Sequence, residues 1–242
     1  MLAVAWDEPR PYRDIHDLVC TLEIYGLGGF GWGVSWVTDS GKVAVVRGLR
    51  RYIDEAHEHE VMTSASRRYL VHLRRPNKLS TVDYADTQPF TRSGEFAFCH
   101  NGFLDRAEAL RPQYADRLEG GADSEVGWCF FQDRIDEGAA PADALREVDE
   151  TFGGKVNLGY LDSAGTLAVY SDNVANAMWR FRCLDADMVS TGIHSDDDSL
   201  FTFVFRDAED RRLVAPGTGV VLGSDRDLTV PVPRSQDAEV TT

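Results

Sequence analysis

The chain has 242 residues and a formal net charge of −15, from 40 acidic and 25 basic residues. A surface of that sign repels nucleic-acid phosphates, which argues against a general DNA- or RNA-binding protein. Hydrophobic residues make up 43% of the chain, as in ordinary globular proteins, and no apolar run approaches the roughly 18 residues that a membrane-spanning helix needs.

The length fits a single domain, which we expect over residues 1–230, followed by a polar, proline-containing tail at 231–242. The N-terminus lacks the basic start and long apolar core of a secretion signal. Four cysteines show neither the paired spacing of a disulfide framework nor that of a metal site. These features predict a cytoplasmic protein without a metal or other cofactor.

The first part of the chain predicts a strand, a helix and a hairpin. The apolar run Leu2–Trp6 is typical of a central strand, which we expect Pro9–Pro11 to end. Apolar residues at helical spacing follow Asp14. Residues 26–33 hold five glycines but lack the Lys and Ser/Thr of a phosphate-binding loop, so a loop leading into a strand at 32–37 is favoured.

Three later positions place polar groups after apolar runs or a glycine turn. Arg74 follows one strand pattern, Asn101 and Gly102 follow another, and Asp123 comes after a glycine pair. An arginine fork and an aspartate suit the carboxylate and ammonium ends of a free α-amino acid. An Asn side chain beside a Gly N–H suits a developing oxyanion. Together these residues indicate a pocket for cleaving an amino-acid amide.

The second half of the chain alternates helices and strands. We expect Asp123 to cap a helix running to Arg134, and a second helix to span Pro141–Phe152. Strand patterns follow at Val156–Leu161, Thr166–Tyr170, Ala177–Arg182 and Met188–Gly192, with apolar alternation at Leu200–Val204. This order predicts an α+β fold, a four-layer αββα sandwich of two stacked, mainly antiparallel sheets flanked by helices.

The motifs resemble, in order, those of the class II glutamine amidotransferases, which have the Ntn-hydrolase fold. Within that family the chain is most similar to the short stand-alone proteins that consist of the glutaminase domain alone, and the resemblance covers most of residues 1–225. The motifs are His72-Leu73-Arg74-Arg75, Thr87-Gln88-Pro89-Phe90, His100-Asn101-Gly102 and Asp123-Ser124-Glu125.

The resemblance implies roles for individual residues. Arg74 would hold the α-carboxylate of glutamine or of a γ-glutamyl amide, and Asp123 would face its ammonium group. The Asn101 side chain and the Gly102 N–H would form the oxyanion hole. Gln88 stands where family members commonly have His. With no synthase domain on this chain, released ammonia would serve a separate synthase subunit, or the protein would hydrolyse a γ-glutamyl amide in a small-molecule pathway.

The family's nucleophile, an N-terminal cysteine, is missing from the sequence as given. The resemblance places Met1 two or three positions after it, and a thioether cannot accept the acyl group. One hypothesis is an active enzyme in which the cysteine precedes Met1. The other is a catalytically inactive Ntn-fold module that binds glutamine or a related amino acid as a regulatory or partner subunit.

An internal thiol is a third alternative for the nucleophile. Cys99 is adjacent to His100, but consecutive strand residues point to opposite faces. Cys20 could become N-terminal by cleavage, yet too few residues would then precede Gly31 to form the family's first strand and helix. Neither cysteine is therefore favoured.

Overall fold

The computed structural model describes residues 1–26, 28–76, 79–193 and 198–223. The predicted tail at 231–242 and the end of the predicted domain lie outside the described residues. The described strands are β1 (Leu2–Pro11), β2 (Trp32–Val37), β3 (Val43–Gly48), β4 (Ala65–Leu73), β5 (Phe90–Arg92), β6 (Phe96–Leu104), β7 (Gly154–Asp162), β8 (Leu167–Ser171), β9 (Met178–Cys183), β10 (Ala186–Thr191), β11 (Glu209–Leu213) and β12 (Thr218–Val221).

Six α-helices and several 3₁₀ turns are described. The helices are α1 (Arg13–Tyr25), α2 (Tyr52–Glu55), α3 (Ala107–Leu110), α4 (Asp123–Asp136), α5 (Pro141–Phe152) and α6 (Asp198–Val204). The 3₁₀ turns are Ala56–Glu58, Glu60–Thr63, Leu79–Thr81, Arg111–Tyr114 and Val174–Asn176.

The strands form two sheets in which neighbouring strands are antiparallel. A seven-stranded sheet has the order β11-β9-β10-β1-β4-β2-β3, and a five-stranded sheet has the order β12-β8-β7-β6-β5. In the first, β1 is central, with Leu2 opposite Ser190 on one side and opposite Val71 on the other. Three connected hydrophobic clusters then define the layers.

Alternation along β1 shows how the layers arise. Leu2 and Val4 face α1 and the other helices on the outer side of the seven-stranded sheet, whereas Ala3 and Ala5 face the second sheet. Cys99 of β6 meets them there, and α4 and α5 cover the outer face of the five-stranded sheet. The architecture is the predicted α+β sandwich of helices, sheet, sheet and helices.

Two predicted elements differ from the structure. Strand β1 does not end at Pro9–Pro11 but continues through Pro11, because its pairing with β4 shifts register between Ala5 and Arg10 and a proline without N–H is tolerated there. Leu200–Val204 is helical rather than extended. Phe201 and Phe205, four residues apart, both pack on Phe181, with ring centroids 5.3 and 4.5 Å away.

Among the described residues, none of the helices combines the length and apolarity needed to cross a membrane. The same part of the chain contains no group of three or more His, Cys, Asp or Glu side chains arranged to hold a metal ion.

Candidate active site

A cavity of about 300 Å³ brings together the four site residues predicted from the sequence. Arg74 follows the end of β4, Asn101 and Gly102 lie in β6, and Asp123 begins α4. These segments are far apart in sequence, and the sandwich joins them at one end of the two sheets. Further residues lining the cavity include His72, Arg75, Thr81, Asp86, Gln88, His100, Glu108, Arg111 and Ser124.

The backbone conformation at position 102 is one that favours glycine. Its φ is +146°, a value that residues with a side chain rarely adopt. A Cβ atom at this position would also overlap the main-chain carbonyl of Lys155 on the paired strand β7. The main chain of β6 can therefore approach β7 and the cavity only without a side chain here.

The Asn101 side chain is held from behind. Its Oδ1 accepts a hydrogen bond of 2.8 Å from Nδ2 of Asn176, which follows β8 in a 3₁₀ turn. Asn101 lines both the main cavity and a smaller adjoining one. With the carbonyl end bonded to Asn176, the amide NH₂ end is the part that is left to donate to a bound group.

Asp123 does not cap α4 as expected from the sequence. It is the first residue of the helix, the N-cap position is Ala122, and no side-chain cap bond forms. Instead, Asp123 Oδ2 accepts a hydrogen bond of 2.7 Å from the N–H of Leu104 at the end of β6. An anion at a helix N-terminus is also favoured by the helix dipole, so the carboxylate is held at the cavity as a fixed negative charge.

Arg74 is almost fully buried, at 4% exposure. Its guanidinium donates to the carbonyl of Asp83 and to Thr87 Oγ1, both at 3.2 Å, and to the carbonyl of Thr81. Burial lowers the pKa of Arg74, and the nearby carboxylates of Asp86 and Asp83 oppose that shift. The guanidinium therefore secures the segment 79–87 along the cavity.

His72 was not singled out from the sequence, although it belongs to the strand motif that ends at Arg74. Its ring is buried and lines the cavity, and its Nδ1 has no hydrogen-bond partner among the described residues. Burial first, and then neighbouring positive charge including Arg74, hold the pKa of His72 well below 6.5. His72 is therefore a neutral, under-satisfied polar group facing the site.

His100 points from β6 towards α4, and both of its ring nitrogens have hydrogen-bond partners. Its Nε2 lies 3.3 Å from the carbonyl of Lys155, which can only accept, so Nε2 carries the proton and Nδ1 accepts from the Ser124 hydroxyl at 2.9 Å. Burial lowers the pKa of His100, and Asp123 opposes the shift. These contacts join β6, β7 and α4 next to Asn101 and Gly102.

Gln88 and Asp86 brace the cavity through main-chain contacts. Gln88 Oε1 accepts from the N–H of His100 at 2.5 Å, and Asp86 Oδ1 accepts from the N–H of Ala122 at 2.7 Å. Both side chains are buried. The sequence offered the Thr-Gln-Pro-Phe motif as a signal for Gln88, but nothing in the spacing of Asp86 indicated its partner, which is 36 residues away.

Met1 lies beside the site, in the smaller cavity that also contains Asn101 and Thr191. Its carbonyl accepts from the N–H of Thr191 at 3.0 Å, which extends the pairing of β1 with β10. Its sulfur lies 3.0 Å from Cys99 Sγ between the two sheets. The thioether is therefore part of the core.

None of the cysteines in the described part of the chain lines the main cavity. Burial raises the pKa of Cys99 to about 12, and burial likewise raises the pKa values of Cys20 and Cys129 to about 11. Cys99 points into the inter-sheet core while its neighbour His100 points towards α4. A thiol that remains protonated in the core is poorly suited to nucleophilic attack.

Comparison with known proteins identifies the family. Residues 28–168 match the family of class-II glutamine amidotransferases. A search of curated proteins found no significant relative. Among solved structures, glutamine phosphoribosylpyrophosphate amidotransferase from Bacillus subtilis has a TM-score of 0.70 and 18% identity, over 91% of this chain and 46% of that one. This chain thus spans less than half of that enzyme's length.

Stand-alone proteins of similar length also match. A glutamine aminotransferase class-II domain protein from Silicibacter pomeroyi has a TM-score of 0.59 and 18% identity, over 91% of this chain and 93% of that one. A protein from Pseudomonas aeruginosa, described as a predicted glutamine amidotransferase, has a TM-score of 0.53 and 16% identity, over 91% and 96%. At these identities the structures show a shared fold, and the family match covers more than half of the sequence. The chain belongs to the class II glutamine amidotransferases.

Proposed function

We propose that this protein hydrolyses the side-chain amide of glutamine, or of a related γ-glutamyl amide, with a cysteine that precedes Met1 in the full-length chain. The observation that carries the proposal is the oxyanion pair, Asn101 and Gly102, in one cavity with a buried arginine and a fixed aspartate. The set offers a cation, an anion and oxyanion donors for the carboxylate, the ammonium and the reacting carbonyl of the substrate. Because the Arg74 guanidinium also donates to Thr81, Asp83 and Thr87, the carboxylate would bind through its remaining N–H groups.

Strand register supports the proposed place of the nucleophile. Ala3 is opposite Leu70 and Leu2 is opposite Val71, so a residue two positions before Met1 would lie opposite Arg74 if β1 continued. Alternation would put its side chain on the same face of β1 as Met1, which faces the second sheet and lines the smaller cavity together with Asn101. We therefore place the cysteine opposite Arg74, on the side of β1 that faces the second sheet, where Asn101 is found.

The proposed reaction is nucleophilic acyl transfer. The thiolate attacks the carboxamide carbon, and Asn101 Nδ2 and the Gly102 N–H donate to the resulting oxyanion. The C–N bond then breaks, the leaving amine takes its proton from the α-ammonium of the cysteine, and ammonia departs. Water hydrolyses the thioester, releasing glutamate and the free thiol. The buried Arg74 and the fixed Asp123 would position the substrate for this attack.

The test begins with the intact mass and N-terminal sequence of the protein purified from its native source. A chain that begins with cysteine and is a few residues longer than the sequence given should release ammonia from L-glutamine. Changing that cysteine to alanine should abolish turnover and leave the melting temperature within about 2 °C. Ammonia release that persists in this variant would overturn the proposed nucleophile.

A second candidate is a catalytically inactive module that binds glutamine or a related amino acid as a regulatory or partner subunit. The position of the cysteines favours it, because none of those described lines the main cavity and Met1 is packed in the core. A native chain starting at Met1 that binds L-glutamine, as measured by calorimetry, without releasing ammonia would decide for this candidate.

If the protein is instead the proposed enzyme, a separate cytoplasmic synthase subunit would receive the ammonia.

A further inference from the structure

A buried chain of amide groups lies behind Asn101, on the side away from the main cavity. Asn176 Nδ2 donates to Asn101 Oδ1 at 2.8 Å, and the main-chain carbonyl of Asn176 accepts from Asn157 Nδ2 at 2.7 Å. Asn157 is fully buried and Asn176 is 5% exposed. The bond between Asn176 and Asn101 is partly buried beside the smaller cavity and is the contact that orients the carbonyl end of the Asn101 amide.

The position of Asn176 is itself fixed from two directions. Its main-chain N–H donates to Asn173 Oδ1 at 3.2 Å, which closes the 3₁₀ turn Val174–Asn176. Asn157 Oδ1 accepts from the Ser171 hydroxyl at 3.3 Å, so the residue that holds the Asn176 carbonyl is held in turn. These contacts fix the main chain of Asn176, while its side-chain Oδ1 is buried without a hydrogen-bond partner among the described residues, so the bond from Nδ2 to Asn101 is the side-chain contact that the structure gives this amide.

The orientation matters because the two ends of a primary amide have opposite hydrogen-bonding properties. The NH₂ end donates, whereas the carbonyl end only accepts and would repel an oxyanion. If the Asn101 amide turned by 180°, its carbonyl would face the reacting group. The bond from Asn176 Nδ2 to Asn101 Oδ1 opposes that turn, because turning Asn101 alone would bring two NH₂ groups together.

We propose that Asn176 is a positioning residue for the oxyanion hole, which holds the Asn101 amide with its NH₂ end towards the substrate carbonyl. The inference rests on the function proposed above for Asn101. It assigns to Asn176 no contact with substrate. Its loss should therefore lower the rate of the chemical step and leave ground-state binding nearly unchanged.

The test is Asn176→Asp in the full-length protein. An ionised aspartate accepts but cannot donate, so the Asn101 amide should turn its NH₂ end towards it and present its carbonyl to the oxyanion. We expect kcat to fall about 100-fold, the scale of losing one oxyanion donor, with KM within about twofold of wild type. Protonating the introduced carboxylate restores a donor, so the ratio of variant to wild-type kcat should rise as the pH falls.

Ser171→Ala is the matched control. It removes a contact at the far end of the same network and leaves the bond between Asn176 and Asn101 in place. We expect its kcat to stay within about threefold of wild type. An unchanged kcat in Asn176→Asp, or a change confined to KM, would overturn the inference.

A readout without turnover separates this inference from the proposed function. In protein labelled with ¹⁵N-asparagine, the Asn101 NH₂ signal is identified by its absence in Asn101→Asp. That signal should shift in Asn176→Asp and stay in place in Ser171→Ala. If wild type releases no ammonia but the signal shifts, the proposed function fails and the positioning contact stands. A signal that does not move overturns the contact.

Discussion

The N–H of Leu104 donates to Asp123 Oδ2 at 2.7 Å, which ties the end of β6 to the start of α4. The same carboxylate lines the main cavity. One side chain thus connects the strand that carries Asn101 and Gly102 to the helix that begins with Asp123. Its structural and ligand-binding roles can be separated by substitution.

Asp123→Asn should weaken glutamine binding without loosening this connection. Asparagine retains a carbonyl oxygen for the Leu104 N–H but loses the negative charge that we propose binds the substrate ammonium. Because a hydrogen bond to a charged group is worth about 1.5–3 kcal/mol, we expect the Kd to rise about 10- to 100-fold, measured by calorimetry. Asp105→Asn, an exposed acid on the same cavity, should bind nearly as wild type. Equal weakening in both variants would contradict a specific role for Asp123.

Apolar runs in the sequence pointed to two of the predicted site segments. Arg74 directly follows β4, as the pattern indicated, whereas β6 continues through Asn101 and Gly102 to Leu104 and does not end at the apolar run before them. The stacking of the two antiparallel sheets brings these segments together at the cavity. His72 and Asn176 escaped prediction for a physical reason. A histidine within an apolar strand and an asparagine in a short turn carry no periodic signal, and only tertiary packing shows which buried nitrogen or oxygen each one offers.

The same reasoning explains the two misassigned segments. Local sequence suggested that prolines would end β1, but a register shift in its pairing with β4 accommodates them. In α6, alternation over a few residues fits a strand or one turn of helix equally well. The aromatic contact between Phe181 and Phe205, distant in sequence, decides for the helix.

Gly102→Ala should destabilise the fold as well as the site. A side chain at φ +146° is strained, and its Cβ would overlap the Lys155 carbonyl. Gly138→Ala is a matched control, because Gly138 also has a positive φ, +90°, with nothing near the added atom. We expect Gly138→Ala to lower the free energy of unfolding by about 1–2 kcal/mol and Gly102→Ala to lower it clearly more, measured by urea denaturation. Equal losses of unfolding free energy in the two variants would show that the structure shifts enough to remove the overlap between the added Cβ atom and β7.

His72 should make stability fall in mildly acidic solution. Its pKa is well below 6.5 in the folded protein, whereas the unfolded chain takes up the proton near 6.5. The contribution of the neutral His72 to the free energy of unfolding is therefore complete above pH 6.5. It is lost as the pH falls towards the pKa of the folded protein, by up to about 1.4 kcal/mol per pH unit for one histidine. His100, whose pKa is also lowered, adds to this slope.

His72→Gln should reduce that slope by about half between pH 7 and 5.5, with the free energy of unfolding measured by urea denaturation at each pH. The comparison uses the slope and not the absolute stability, since any change in a buried ring alters packing. His57→Gln, at a side chain that is 59% exposed, should keep the wild-type slope. A wild-type slope in His72→Gln would mean that the ring is not excluded from protonation in the folded protein.

Cys99 should behave as a core residue and not as the nucleophile. Burial raises the pKa of its thiol to about 12, and it packs against Met1 between the sheets. The native protein at pH 8 should therefore leave Cys99 unlabelled by a thiol reagent, as read by peptide mass, while the unfolded protein labels it fully. Cys99→Ala should lower the free energy of unfolding by about 1–2 kcal/mol yet retain ammonia release. Cys129→Ala is the control, in the hydrophobic cluster between the five-stranded sheet and its helices, and should likewise lose some stability and retain ammonia release. Loss of turnover in Cys99→Ala alone, at an unchanged melting temperature, would instead identify Cys99 as the reacting thiol.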